Sequence, residues 1–172
     1  MRTDNHAAAA PLSGAEGFRF AIVFSRFNDA ITESLRDAAR TALLEAGAGE
    51  SNVEVVSVPG AFELPQAARS LAETGRFDAI VCLGCVIRGA TPHFEYIASA
   101  CAHGITAAAA STGVPMAFGV LTTNSAEEAL ERVAPGPAHK GREAADAAME
   151  MARLFAEIGD APSPLGYSGP GR

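Results

Sequence analysis

Apolar and polar positions along the chain fall into two alternating textures. Runs dense in β-branched and aromatic residues, FRFAIVFS (18–25), NVEVVSV (52–58), FDAIVCLGCVI (77–87) and PMAFGVLTT (115–123), read as strands. Between them lie stretches with helical spacing. The first opens at Asn28, a capping residue type, and stops at Gly47. The second covers 61–75, and an Ala-rich third runs from Thr91 to about Ser111. Ser125 with Glu128 three residues on forms a capping-box pattern that opens a short helix to about Val133. The turn APGPAH (134–139) leads to a last helix over about 140–158. The unbroken apolar run at 77–87 suits a parallel strand covered on both faces. Strand-helix alternation of this kind predicts a parallel sheet with right-handed crossovers. The expected fold is α/β, a flavodoxin-like three-layer αβα sandwich around a four-stranded parallel sheet. It forms one domain over 18–158, with flexible segments at 1–17 and 159–172, the latter rich in Pro, Gly and Ser.

A length of 172 residues fits a single domain that needs no staples to complete its core. The net charge of −7 argues against nucleic acid or an anionic membrane surface as a partner, while leaving room for a local cationic pocket. No apolar run approaches the roughly 18–20 residues of a membrane span. The N-terminus MRTDNHAAAAPLSG lacks the apolar core of a signal peptide, so the expected location is the cytoplasm. Cys82, Cys85 and Cys101 do not suggest a disulfide framework. Cys82 and Cys85 match CxxC, but a redox CxxC opens a helix, and this one lies in a strand. Residues three apart on a strand point to opposite faces. No zinc-ligand spacing accompanies them either, so buried thiols and no metal are expected.

In open parallel sheets, ligands bind beyond the C-terminal strand ends, where the strand order reverses. The segments there are 25–28, 59–63, 85–93 and 122–124, and the chain's unusual residues collect in them. In Arg88-Gly89-Ala90-Thr91-Pro92-His93, Thr91 is expected as helix N-cap with Pro92 at the first helical position. Gly89 and Ala90 leave backbone N–H groups open to an anion at the helix start. His93 would follow in the first turn, where an imidazole can move protons near neutral pH. Read alone, the motif is equally a capped helix start with a surface histidine, the commoner structure. Phe27, just past a strand end, is either a stacking platform for a planar heterocycle or core cover. Glu63 is either a partner of the helix dipole or an acceptor for polyol hydroxyls. Arg132, at a helix end, either complements the dipole or clamps a phosphate.

These residues also carry a resemblance. SRFN (25–28), VPGAFELP (58–65), GCVIRGATPHFEYIA (84–98), FGVLTT (118–123), EEALER (127–132) and HKGREAA (139–145) resemble the 6,7-dimethyl-8-ribityllumazine synthases, in order and spacing, over about 18–158. The resemblance implies a transferase of riboflavin biosynthesis that works without cofactor or metal. It would condense 5-amino-6-ribitylaminouracil with 3,4-dihydroxy-2-butanone 4-phosphate to the lumazine, releasing phosphate and water. By carry-over, Phe27 stacks on the pyrimidine, and Ala61, Phe62 and Glu63 meet the ribityl chain. Cys85, Val86 and Ile87 read the uracil edge through their backbone. Ala90 and Thr91 belong to the phosphate loop, and His93 is the general acid/base. Phe118, Arg132 and Lys140 would reach in from a neighbouring subunit, with Arg132 on the phosphate. The resemblance further implies a homopentamer or an icosahedral shell of twelve pentamers, riboflavin synthase as a partner, and an N-terminal strand (8–17) added to the neighbour's sheet.

Three departures stand out. His139 occupies a position where Asn is usual, Glu128 one where Gln is common, and Pro135 and Pro137 crowd the turn before Lys140. Competing readings are a relative that binds lumazine or flavin without turnover, a shell-forming relative, and a different phosphosugar lyase on the same fold. The first predicts loss of His93 or Arg132, and both are present.

Overall fold

The computed structural model describes residues 14–160. The chain enters the core at Ala15, which is fully buried, with the Gly14 and Ala15 N–H groups both donating to the Ala46 carbonyl. The N-terminal segment and C-terminal tail expected from sequence lie mostly outside the described residues.

The four apolar runs are strands: β1 Phe20–Ser25, β2 Val53–Val58, β3 Ala79–Ile87 and β4 Met116–Thr123. All pair in parallel, in the order β2-β1-β3-β4. β1 is buried at every position, whereas the edge strand β2 alternates, as its two settings require. The helices are α1 Asp29–Glu45, α2 Leu64–Glu73, α3 His93–Thr112, α4 Ala126–Arg132 and α5 Lys140–Asp160. Alternate strand residues feed two cores. Phe20, Ile22 and Phe24 join one with α1 and α5, and Ala21 and Val23 join the other with α2 and α3. The three-layer α/β sandwich expected from the pattern is therefore present. Cys82 and Cys85 fall in opposite cores, as strand periodicity demands, and all three thiols are free and buried. No helix among the described residues is long and apolar enough to cross a membrane.

Local differences from the sequence reading have physical causes. The stretch 61–75 splits into a 3-10 turn at Ala61–Glu63 and the helix α2, with Pro65 in the first helical turn. Asn28 stands at the N-cap of α1 but does not cap it with its side chain. Thr91 is not the N-cap of α3, and Pro92 is not its first residue. Pro92 holds the N-cap position without a side-chain cap, its carbonyl accepts the Glu95 N–H at 3.2 Å, and α3 starts at His93. The capping box of α4 forms with one shift: Ser125 Oγ accepts the Glu128 N–H, and the Glu128 carboxylate reaches back to the Asn124 N–H.

The seam between α1 and α5 is unusually close. A Cβ placed on Gly141 would lie 2.2 Å from the Leu35 carbonyl oxygen of α1, so only glycine permits the approach. His139 precedes it at the N-cap of α5, where its carbonyl accepts the Glu143 N–H. Its Nδ1 accepts the Gly141 N–H at 3.1 Å, and its Nε2 meets Ser34 Oγ at 3.1 Å. Since a backbone N–H can only donate, Nδ1 carries no proton, and the ring is the Nε2–H tautomer. Burial, and secondarily the charge of Arg142, hold this imidazole below its ordinary value.

Two outcomes follow for stability. Gly141→Ala must push α1 and α5 apart, at a cost of about 3 kcal/mol, read as a lower denaturant midpoint. Between the depressed folded value of His139 and the ordinary value of about 6.5, the unfolded chain binds a proton that the folded chain does not. Stability should therefore fall as pH drops below about 6.5. His139→Asn keeps a capping side chain without the titration and should flatten that part of the profile in chemical-denaturation curves; an unchanged slope would count against the neutral cap.

Candidate active site

The strand order reverses between β1 and β3, and in open parallel sheets that switch point directs a ligand to the region beyond their C-terminal ends. Beyond β1 the chain is tied down by backbone bonds. The Arg26 N–H donates to the Val58 carbonyl at 2.8 Å and the Phe27 N–H to the Pro59 carbonyl at 3.1 Å. Asn28 follows with φ 61° and ψ 50°, the only non-glycine residue with positive φ among those described. Asn tolerates this left-handed geometry better than most residues. Its Nδ2 donates to the Cys85 carbonyl at 2.9 Å and so bridges the ends of β1 and β3. With the chain held this way, Phe27 is 70% exposed, which removes the core-cover reading.

Around this bridge the structure gathers most of the sequence-predicted residues. The 3-10 turn carrying Ala61, Phe62 and Glu63 packs against β1, β3 and α3. Ala61 is buried, and Phe62 is 57% exposed. One Glu63 oxygen accepts the Gly60 N–H at 2.9 Å, and the Glu63 N–H donates to the Gly60 carbonyl at 3.3 Å, so the carboxylate is held against its own turn. The Cys85 thiol is buried, with burial pushing it up to about 11, so it presents no thiolate near neutral pH. Val86 and Ile87 are half-buried, and Ala90, Thr91 and His93 are exposed where the β3–α3 loop meets the first turn of α3.

Phe118 and Lys140 lie elsewhere. Both line a shallow cavity of about 200 Å³ along the open edge of β4, together with Glu143, which pairs with Lys140 at 2.7 Å. Phe118 is 47% exposed. Arg132 ends α4, half-buried, with Nη1 donating to the Glu128 carbonyl of its own helix at 2.7 Å. One chain thus divides the predicted residues into a group at the β1/β3 switch point and a group reaching from β4, α4 and α5.

Sequence reasoning missed Asn28 as a bridge, and it missed Arg88 and Asn124. Arg88 Nε donates to Asn124 Oδ1 at 3.1 Å, and Nη1 pairs with the Glu95 carboxylate. Only Asn28 left a usable signal, as a left-handed-tolerant residue just before a helix. These partners of Arg88 lie across its own loop in α3 and in the loop after β4, where spacing says nothing.

A family model described as 6,7-dimethyl-8-ribityllumazine synthase matches residues 17–156. A protein of Syntrophus aciditrophicus (strain SB) named 6,7-dimethyl-8-ribityllumazine synthase is 51% identical over 144 residues, which is 84% of this chain and 94% of that protein. The match runs from β1 into α5 without losing any of the segments that build the crevice, and the chain belongs to the 6,7-dimethyl-8-ribityllumazine synthase family.

Proposed function

We propose that the chain condenses 5-amino-6-ribitylaminouracil with 3,4-dihydroxy-2-butanone 4-phosphate, at a site completed by a neighbouring subunit. The observation that carries this reading is the position of His93. It stands in the first turn of α3, directly after an exposed small-residue loop, at the end of the sheet where Phe27 and Phe62 also stand exposed. The uracil ring stacks on Phe27, and the ribityl hydroxyls run past Phe62 to Glu63. The strand end at 85–87 offers its backbone to the uracil edge. The phosphate rests on the N–H groups of Ala90 and Thr91 and on Arg132 of the neighbour, with Phe118 and Lys140 closing that side.

The reaction starts when the 5-amino group attacks the butanone carbonyl and water leaves to form an imine. Loss of a proton next to the imine expels phosphate, the resulting enol tautomerises to a ketone, and the ribitylamino nitrogen closes the ring with loss of a second water. Each step moves a proton at a carbon, oxygen or nitrogen, and His93 is the side chain that carries it in this reading. A homo-oligomer, pentamer or shell, belongs to the same reading, as do the cytoplasm and contact with riboflavin synthase.

Mixing the two substrates with the chain and following lumazine absorbance tests the activity. His93→Ala should lower kcat about tenfold to a hundredfold, with little change in affinity for the uracil substrate. Arg132→Ala should chiefly raise KM for the butanone phosphate, by about tenfold or more for a lost charge-assisted bond. An unchanged KM would remove the clamp from the site. Oligomers assembled from equal parts of the two variants should regain activity at up to about a quarter of their sites, because some sites then draw both halves intact. No recovery would mean that His93 and Arg132 act within one chain.

A further inference from the structure

The β3–α3 loop has no side-chain cap at its helix end, and its Gly89, Ala90 and Thr91 are exposed. Such a segment should wander, yet the proposed reaction needs its N–H groups fixed. One residue ties it on several sides. The Arg88 N–H donates to the Thr123 carbonyl at 2.9 Å, extending the β3–β4 ladder by one step. Its Nε donates to Asn124 Oδ1 at 3.1 Å, in the loop after β4. Its Nη1 pairs with Glu95, and its guanidinium lies 4.4 Å from the centroid of the Phe94 ring, both in the first turn of α3. The bond from Arg88 holds the Glu95 carboxyl below its usual range. Asn124 is in turn fixed through its N–H to the Glu128 carboxylate at 2.8 Å.

We propose that Arg88 is a positioning residue that clamps both ends of the phosphate loop, by joining the loop after β4 to the first turn of α3 that carries His93. An isolated exposed ion pair contributes little. Here one planar guanidinium serves an amide oxygen, a carboxylate and a ring face at once, and lysine cannot reproduce that fork. The clamp rests on the function proposed above, since it assigns the loop to phosphate.

The test compares Arg88→Lys and Asn124→Ala with the wild type, after far-UV circular dichroism has confirmed that each folds. Asn124→Ala leaves the Arg88 charge in place. Both variants should raise KM for the butanone phosphate about tenfold while leaving KM for the uracil substrate unchanged. Both should also speed amide hydrogen exchange across 88–95. Full retention of KM by Arg88→Lys, a silent Asn124→Ala, or an equal rise in both KM values overturns the clamp. If the wild type forms no lumazine from the two substrates, the proposed function falls. Unchanged exchange at 88–95 then overturns the clamp separately, and faster exchange upholds it.

Discussion

The site depends on the parallel pairing of β1 with β3, because that pair makes the switch point. The register runs from Phe20 opposite Ala79 to Phe24 opposite Leu83, deep in the sheet. Beyond it, the chain leaves β1 toward α1, and the crevice opens over the end of β3. The Asn28 side chain spans this gap to the Cys85 carbonyl. A left-handed non-glycine residue costs about 1–2 kcal/mol, less for Asn, and one hydrogen bond returns about 1 kcal/mol net. The two nearly cancel, so the bridge adds little stability. Its effect is on geometry: it ties the left-handed turn at 26–28 to the end of β3, with Phe27 exposed beside it.

Sheet and loops divide the labour accordingly. The sheet supplies a rigid floor, with every position of β1 buried. The candidate side chains beyond β1, β2 and β3 sit on loops and first turns held by specific bonds: Arg26 and Phe27 to the end of β2, Gly60 to Glu63, and Arg88 to Thr123, Asn124 and Glu95. Polar contacts therefore hold the loops around the switch point in place above the packed sheet. In a chain with nine Phe, two Tyr and no Trp, exposing Phe27, Phe62 and Phe118 gives up apolar burial that the core could use. That concession suits rings that meet a ligand or a neighbouring subunit.

The sheet was legible from sequence because the central strands β1 and β3, buried on both faces, are long apolar runs and the edge strands β2 and β4 keep β-branched and aromatic residues between turn signals; all four were found within two residues of their ends. The separation of Cys82 from Cys85 was legible for the same reason, since strand periodicity leaves no freedom. Helix starts were read less well. Thr91 has the chemistry of a cap, but the turn before α3 closes on the Pro92 carbonyl, and the ties that hold this turn come from Arg88 at the far side of the loop. Asn28 has the chemistry of a cap too, but the Cys85 carbonyl claims its amide. In both cases a contact distant in sequence decides a local geometry, and local propensity cannot see it.

His139 shows the opposite case, a departure in sequence that the structure turns into an ordinary role. Where the resemblance implies Asn, an imidazole does an amide's work: Nδ1 stands in for a side-chain oxygen that accepts an N–H of the first turn, and Nε2–H stands in for an amide donor, reaching Ser34 on α1. The ring lies at the α1–α5 seam, two residues before Gly141, whose missing side chain lets the helices approach. The exchange keeps the cap but changes its chemistry, because an amide cannot titrate near neutral pH and an imidazole can. The residue after it is Lys140, on the wall of the β4 cavity. The cap and that lysine thus share the start of α5, with Lys140 held by its own ion pair to Glu143.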